Sequence, residues 1–182
     1  MEIFKIGFIT MAAALSACAG TIVIKAAGGA AYYSGQASFF SPDGRLPYGK
    51  TDSVVKREIL DGGARIIETV TQPGNSPSMQ PKQIVTELKR RKKTLIYAAS
   101  DAGGTFSGTV TFKDGDLKSW TYNIKLKAGG AVKGSGKLDA EGIKTEKQLT
   151  GGRPMLVKED LKTISEEEYT VALNLMKPQG WE

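Results

Sequence analysis

The sequence predicts an all-β fold: an antiparallel up-and-down β-barrel of about ten strands, preceded by an N-terminal signal segment. Three observations carry that expectation. Short runs rich in Thr, Val, Ile, Tyr and Phe recur at close intervals. Between them stand turn-forming clusters, among them Pro42-Asp43-Gly44, Asp61-Gly62-Gly63, Pro73-Gly74-Asn75, Asp114-Gly115, Gly129-Gly130, Glu141-Gly142 and Gly151-Gly152. Gly, Asn and Asp supply the positive φ that tight hairpins need. No stretch after residue 30 sustains a 3.6-residue apolar period over three turns.

The chain divides into a signal peptide (1–17), an acylated cysteine and tether (18–30), a barrel domain (31–176) and a short tail (177–182). Candidate strands are 31–40, 52–60, 64–72, 82–89, 94–99, 105–113, 117–127, 131–138, 143–149, 155–163 and 168–176. KQIVTELKRR and ISEEEYTVALNLM also have a helical reading. The second is assigned to a strand because Tyr169, Val171, Leu173 and Leu175 alternate. Antiparallel strands in sequence order, with no crossover helix, close most economically into a barrel, which removes exposed edges; a sandwich is the alternative. A membrane-spanning barrel is disfavoured, because the alternation is irregular and no aromatic girdle repeats.

The central strands are the clearest. Phe106, Gly108, Val110 and Phe112 share one face; Trp120, Tyr122, Ile124 and Leu126 share another. Val132, Gly134, Gly136 and Leu138 alternate with Lys133, Ser135 and Lys137. One apolar and one wet face is the half-buried antiparallel pattern. A three-residue loop at Ala128-Gly129-Gly130 would pair Leu126 with Val132, Ile124 with Gly134, Tyr122 with Gly136 and Trp120 with Leu138. The same reasoning puts Val110 beside Trp120 and Gly108 beside Tyr122. The glycines would then leave space near two aromatic rings.

Cys18, the only cysteine, closes the stretch Leu15-Ser16-Ala17-Cys18 after an uncharged run from Ile6 to Ile24. This resembles the bacterial lipoprotein signal. The resemblance implies that the thiol takes a diacylglycerol, that the leader is cut before Cys18, and that the freed amine is acylated. Two other readings stand beside it: ordinary cleavage after Ala17-Cys18-Ala19, and an uncleaved anchor, for which 19 residues just approach a bilayer span. The lone thiol favours acylation, since an exposed one is a liability in an oxidising compartment. Ala19, where the family places an Asp to retain a protein in the inner membrane, implies an outer-membrane lipoprotein facing the periplasm.

The absence of histidine excludes Ser-His-Asp and Cys-His catalysis and ordinary His-ligated zinc or haem. One cysteine excludes an internal disulfide and a thiolate cluster. No catalytic residue, metal site or cofactor is therefore assigned, and an enzyme is not expected. The net charge of +6 is compatible with a polyanionic partner. In an exported protein that means envelope anions, not nucleic acid.

REILDGGARIIETV, followed by SGTVTFKDGDLKSWTY, resembles small bacterial lipocalin-like domains of unknown function within the calycin group, over about residues 31–176. The Gly-x-Trp signature of lipocalins is replaced by Tyr32-Tyr33-Ser34-Gly35. The resemblance implies a barrel with an interior pocket. The related nitrobindin barrels hold haem with a histidine, which this chain lacks.

Candidate pocket residues are Phe106, Gly108, Val110, Trp120, Tyr122, Gly134, Gly136 and Tyr169; plain core packing is the competing reading. Lys89, Arg90, Arg91, Lys92 and Lys93 form a basic hairpin tip suited to phosphate or carboxylate groups of anionic lipid, or else a solvated turn. Glu166-Glu167-Glu168 reads as a solvated strand edge. Glu159 and Asp160 face opposite ways on a strand and cannot act as an acid/base pair. Lys147 is in phase with Ile143, Thr145 and Leu149; turned inward, its ammonium requires a partner, and an anionic ligand is one candidate. The expected function is binding of a small amphipathic or lipid-like molecule by a membrane-anchored barrel. The alternative is a structural or assembly role through surface contacts with anionic lipid, lipopolysaccharide or a protein partner.

Overall fold

The computed structural model describes residues 29–60, 63–70, 81–91, 95–101, 103–113 and 118–176. Within them run ten strands: β1 (Ala30–Phe40), β2 (Pro47–Leu60), β3 (Gly63–Val70), β4 (Lys82–Arg90), β5 (Ile96–Asp101), β6 (Phe106–Phe112), β7 (Ser119–Leu126), β8 (Ala131–Leu138), β9 (Gly142–Thr150) and β10 (Met155–Ile164). Each pairs antiparallel with its neighbour in sequence, and β1 returns to β10 to close the barrel. Closure runs through nine residue pairs, from Tyr32↔Ile164 to Phe40↔Leu156. Every strand partner lies within Ala30–Ile164. The up-and-down fold read from the sequence is thus the fold observed.

The period of two decides what the barrel encloses. On β7, Trp120, Tyr122 and Ile124 are buried, whereas Thr121, Asn123 and Lys125 are exposed. On β9, Ile143, Thr145, Lys147 and Leu149 are buried on the same face. The segment Lys82–Arg90, for which a helix also had a claim, is strand β4.

Register differs from the sequence expectation by two residues. Tyr122 pairs with Gly134, Trp120 with Gly136, Val110 with Tyr122 and Gly108 with Ile124. At the β7–β8 turn the amide of Gly129 donates to Leu126 O at 3.1 Å and that of Leu126 to Gly130 O at 3.2 Å. The three-residue loop is therefore Lys127-Ala128-Gly129, one residue earlier than expected. Gly129, at φ 95°, takes the left-handed position that closes such a loop. A two-residue slip preserves the faces, so the inward set is unchanged.

The eleventh candidate strand, 168–176, is instead helix α1 (Glu166–Leu175). Ser165 accepts from the Glu168 amide, and the Glu168 carboxylate accepts from the Ser165 amide at 2.7 Å, forming a capping box. The Glu166-Glu167-Glu168 run is the acidic first turn, complementing the helix dipole, and not a strand edge. Tyr169, Ala172, Leu173 and Met176 are buried or half-buried at helical spacing, whereas Val171 and Leu175 are exposed. The apparent alternation of Tyr169, Val171, Leu173 and Leu175 therefore has no structural counterpart. α1 lies against β1 and β2 on the outside of the barrel, with Tyr169 5.1 Å from Tyr32, ring centre to ring centre.

Up-and-down order also fixes the ends. The β2–β3, β4–β5, β6–β7 and β8–β9 connections turn at the pole where β1 begins and β10 ends. The basic residues Lys89–Arg91 at the end of β4 and the start of β1 at Ala30 therefore share a pole.

The Trp120 ring lies directly over Gly136, where a Cβ would overlap its six-membered ring. Gly136→Ala is expected to lower unfolding free energy by about 1–3 kcal/mol, as overpacking does. Urea denaturation measures this; an unchanged midpoint would show that Trp120 has room to move.

Candidate functional site

The barrel interior falls into two sectors. Strands β6 and β7 contribute large side chains: Phe106, Val110, Phe112, Trp120, Tyr122 and Ile124, all buried. Tyr97 meets Phe112 edge-on at 5.3 Å between ring centres, and Phe112 meets Trp120 at 6.1 Å. The Tyr122 ring lies over Gly134, with its hydroxyl 3.4 Å from the carbonyls of Ser135 and Glu146. The Ile124 side chain reaches over Gly108. The space anticipated at Gly108, Gly134 and Gly136 is thus occupied by these side chains. Aromatic rings over glycines restore contact that a bare strand lacks.

Tyr169 is separated from the other pocket candidates. It sits on α1, outside the barrel, against Tyr32. Burial, with the nearby Glu58 carboxylate, raises its phenol pKa, partly offset by Lys56.

The remaining interior is ionic in part. Lys147 and Glu159 are both fully buried and form a tight ion pair between β9 and β10. Thr145 Oγ1, directly opposite Glu159, donates to its second oxygen at 2.7 Å. The inward Lys147 therefore has its counter-charge within the chain. Asp160 points the other way and is exposed, so Glu159 and Asp160 diverge as expected. Across the barrel wall, Ser53 Oγ on β2 donates to Glu68 Oε1 on β3 at 2.8 Å, both residues being inaccessible to solvent.

Arg57, on β2, is in phase with Ser53 and Val55 and is completely buried. Its Nη1 lies 3.4 Å from the Tyr33 hydroxyl, and its guanidinium carbon is 5.8 Å from the Tyr33 ring centre. Among the described residues, its Nε and Nη2 have no hydrogen-bond partner. Burial pushes its pKa below the ordinary guanidinium value, opposed by Tyr33; an arginine nonetheless stays charged. Thr86 on β4 lies in the same transverse row, through Arg57↔Ile66 and Ile66↔Thr86, and its hydroxyl also has no partner. The inward residues beside Arg57 are Ala31 on β1 and Ile66 and Ala64 on β3, with Leu88 on β4 and Ala99 on β5 in the row of Ala64.

At the shared pole, Lys89, Arg90 and Arg91 are exposed, and Lys89 approaches Glu87 at 3.6 Å. Lys92, Lys93 and Cys18 lie outside the described residues. Among the described residues, no group of three His, Cys, Asp or Glu side chains is arranged to hold a metal ion.

Sequence reasoning missed Arg57, Ser53, Glu68 and Thr86. The phase of β2 gives no clear signal of its own, because Ser53, Val55 and Arg57 alternate with Asp52, Val54, Lys56 and Glu58, with a valine on each face.

Removing one partner of the buried pair leaves an uncompensated charge. Glu159→Gln is expected to destabilise the barrel by about 3–5 kcal/mol, whereas Lys147→Met with Glu159→Leu restores stability to near or above the parent. Chemical denaturation of the parent and the two variants measures the difference. A double variant as unstable as Glu159→Gln would show that the pair does not act as a unit.

No protein-family model matches the chain, and no curated protein sequence does either. The observed architecture, ten antiparallel strands closed up-and-down, is consistent with a lipocalin-like barrel.

Proposed function

We propose that this chain is an envelope lipoprotein whose barrel binds a small amphipathic or lipid-like molecule in its interior. The observation that carries the reading is the sector around β1 to β5. Apolar side chains of mixed size there, Ile66 and Ala64 among them, border a buried cation, Arg57, whose Nε and Nη2 no described residue bonds. Stability alone favours an apolar core, because a buried ion costs several kcal/mol unless its hydrogen bonds are made. An amphipathic guest matches both properties, its tail against Ala, Ile and Leu and its head among polar groups. Ten strands also enclose a wider interior than eight, which side chains alone just fill. The anchor rests on Leu15-Ser16-Ala17-Cys18. Three acyl chains hold a protein far more firmly than one, which binds only marginally.

A second reading, contact of the barrel's pole with an anionic surface, is favoured by the topology. The basic tip at Lys89–Arg91 and the end from which the tether leaves are the same end. A tether at Ala30 then brings that tip toward the membrane. The two readings are compatible, since a guest passing between bilayer and barrel needs one end near the lipid.

Native mass spectrometry of residues 19–182 recovered from a bacterial periplasm is expected to show a co-purifying small molecule. A bare polypeptide mass that also takes up no added amphiphile removes the binding reading. Cys18→Ser is expected to release the protein from membranes or block its processing; unchanged attachment and processing removes the lipoprotein reading. Replacing Lys89, Arg90, Arg91, Lys92 and Lys93 by Ser is expected to weaken salt-sensitive binding of residues 19–182 to phosphatidylglycerol vesicles. Equal binding before and after removes the basic tip from the second reading.

A further inference from the structure

Among the described residues, three donor sites inside the barrel have no acceptor: Arg57 with its Nε and Nη2, the Thr86 hydroxyl, and the Trp120 indole Nε1. Trp120 belongs to the packed aromatic sector, over Gly136. Arg57 and Thr86 lie two strands apart in one transverse row, with Ile66 between them. Neighbouring strands lie about 4.8 Å apart, so the row places the two within about 10 Å, backbone to backbone. Arg57 is bound on one side only: its Nη1 faces the Tyr33 hydroxyl, and Tyr33 flanks the guanidinium plane.

The two nitrogens left over are not an arbitrary pair. Nε–H and one N–H of Nη2 lie parallel along one edge of the planar guanidinium. That edge is the fork that meets two oxygens of a carboxylate side-on. Among the described residues, no carboxylate forms an ion pair with Arg57; Glu68 is bonded to Ser53, and Glu159 to Lys147 and Thr145. A guanidinium held by a weak bond at Nη1 and open along its opposite edge is a preorganised receptor for one monoanion.

We propose that Arg57 receives the carboxylate head of an amphipathic guest, side-on through Nε–H and Nη2–H, with the tail lying toward Ala64 and Ala99. This rests on the interior-binding reading and names its ligand class: a single-chain organic acid. A carboxylate brings one negative charge to a sector that already buries the Glu68 carboxylate, and a phosphate monoester dianion brings two, which a low-dielectric interior disfavours more.

The test uses the full-length protein in nanodiscs, with empty nanodiscs as the blank. Calorimetry compares four probes of equal chain length: dodecanoate, dodecanol, dodecyl phosphate and dodecyltrimethylammonium. Dodecanoate is expected to bind about tenfold or more tightly than the other three, a preference worth about 1.4 kcal/mol. Arg57→Met is expected to bring dodecanoate within about twofold of dodecanol, leaving dodecanol unchanged. Equal binding of dodecanoate and dodecanol by the unaltered protein overturns the carboxylate assignment while leaving interior binding intact. A preference for dodecyl phosphate also overturns it. No saturable binding of any probe overturns both. A readout that needs no variant is the ¹³C resonance of carboxyl-labelled dodecanoate. Paired with Arg57, the bound carboxyl is expected to stay ionised below the pH at which the free acid titrates. Titration at or above that pH overturns the proposal.

Discussion

The pairing of β1 with β10 is the constraint on which the rest depends. Nine consecutive residue pairs turn a ten-strand ribbon into a tube. Closure satisfies the backbone groups that two edge strands would leave to solvent or to another chain. It also withdraws one face of every strand from water. With side chains alternating strictly, each inward residue is committed to a low-dielectric interior whatever its chemistry. That is why Ser53, Arg57, Glu68, Thr86, Lys147 and Glu159 are completely or nearly completely buried in a small barrel.

Much of this was legible in the sequence, and the reason is the period of two. The inward faces of β6, β7 and β8 follow from alternation alone, and they survive a register error because the slip was of two residues, not one. The hairpin length was also legible, but not its placement: Gly129 and Gly130 both take positive φ, and the hydrogen bonds put Gly129 inside the three-residue loop and Gly130 just beyond it. The C-terminal helix was misread for a related reason. Four apolar residues at even spacing outweighed a capping pair, Ser165 and Glu168, at the i, i+3 spacing that a capping box requires. The local signal at the helix start was the better guide, because a cap acts on the backbone directly whereas a short alternation also arises by chance.

The interior site was less legible. On β2, Val54 and Val55 point to opposite faces yet both are buried; on β3, Ile66 and Ile67 do the same in part. Hydropathy therefore does not mark the inner phase of these strands, and Arg57 and Glu68 read as ordinary solvated charges. Their phase emerges only from pairing with better-marked neighbours, Ser53↔Val70 and Val55↔Glu68 among them. The central glycines illustrate the converse. Their inward position was readable, but whether Gly134 and Gly136 leave a void depends on the χ angles of Tyr122 and Trp120, which sequence does not encode locally.

The two buried cations make an instructive pair. Lys147 was the one whose inward phase was visible, and it suggested an anionic guest. Its counter-ion is instead Glu159, two residues along the neighbouring strand from its direct partner Val157, and Thr145 completes that carboxylate's bonding. Such a closed set holds β9 to β10 beside the β1–β10 closure. Arg57 has the same charge and burial, on the next strand beyond β1, but its local bond goes to a neutral hydroxyl. A hydroxyl offers a dipole where a carboxylate offers a full charge, so Tyr33 orients the guanidinium without neutralising it. Among the described residues, one buried cation thus meets a carboxylate and a second meets a hydroxyl. The difference in bonding, more than the fact of burial, separates a structural ion pair from a binding group.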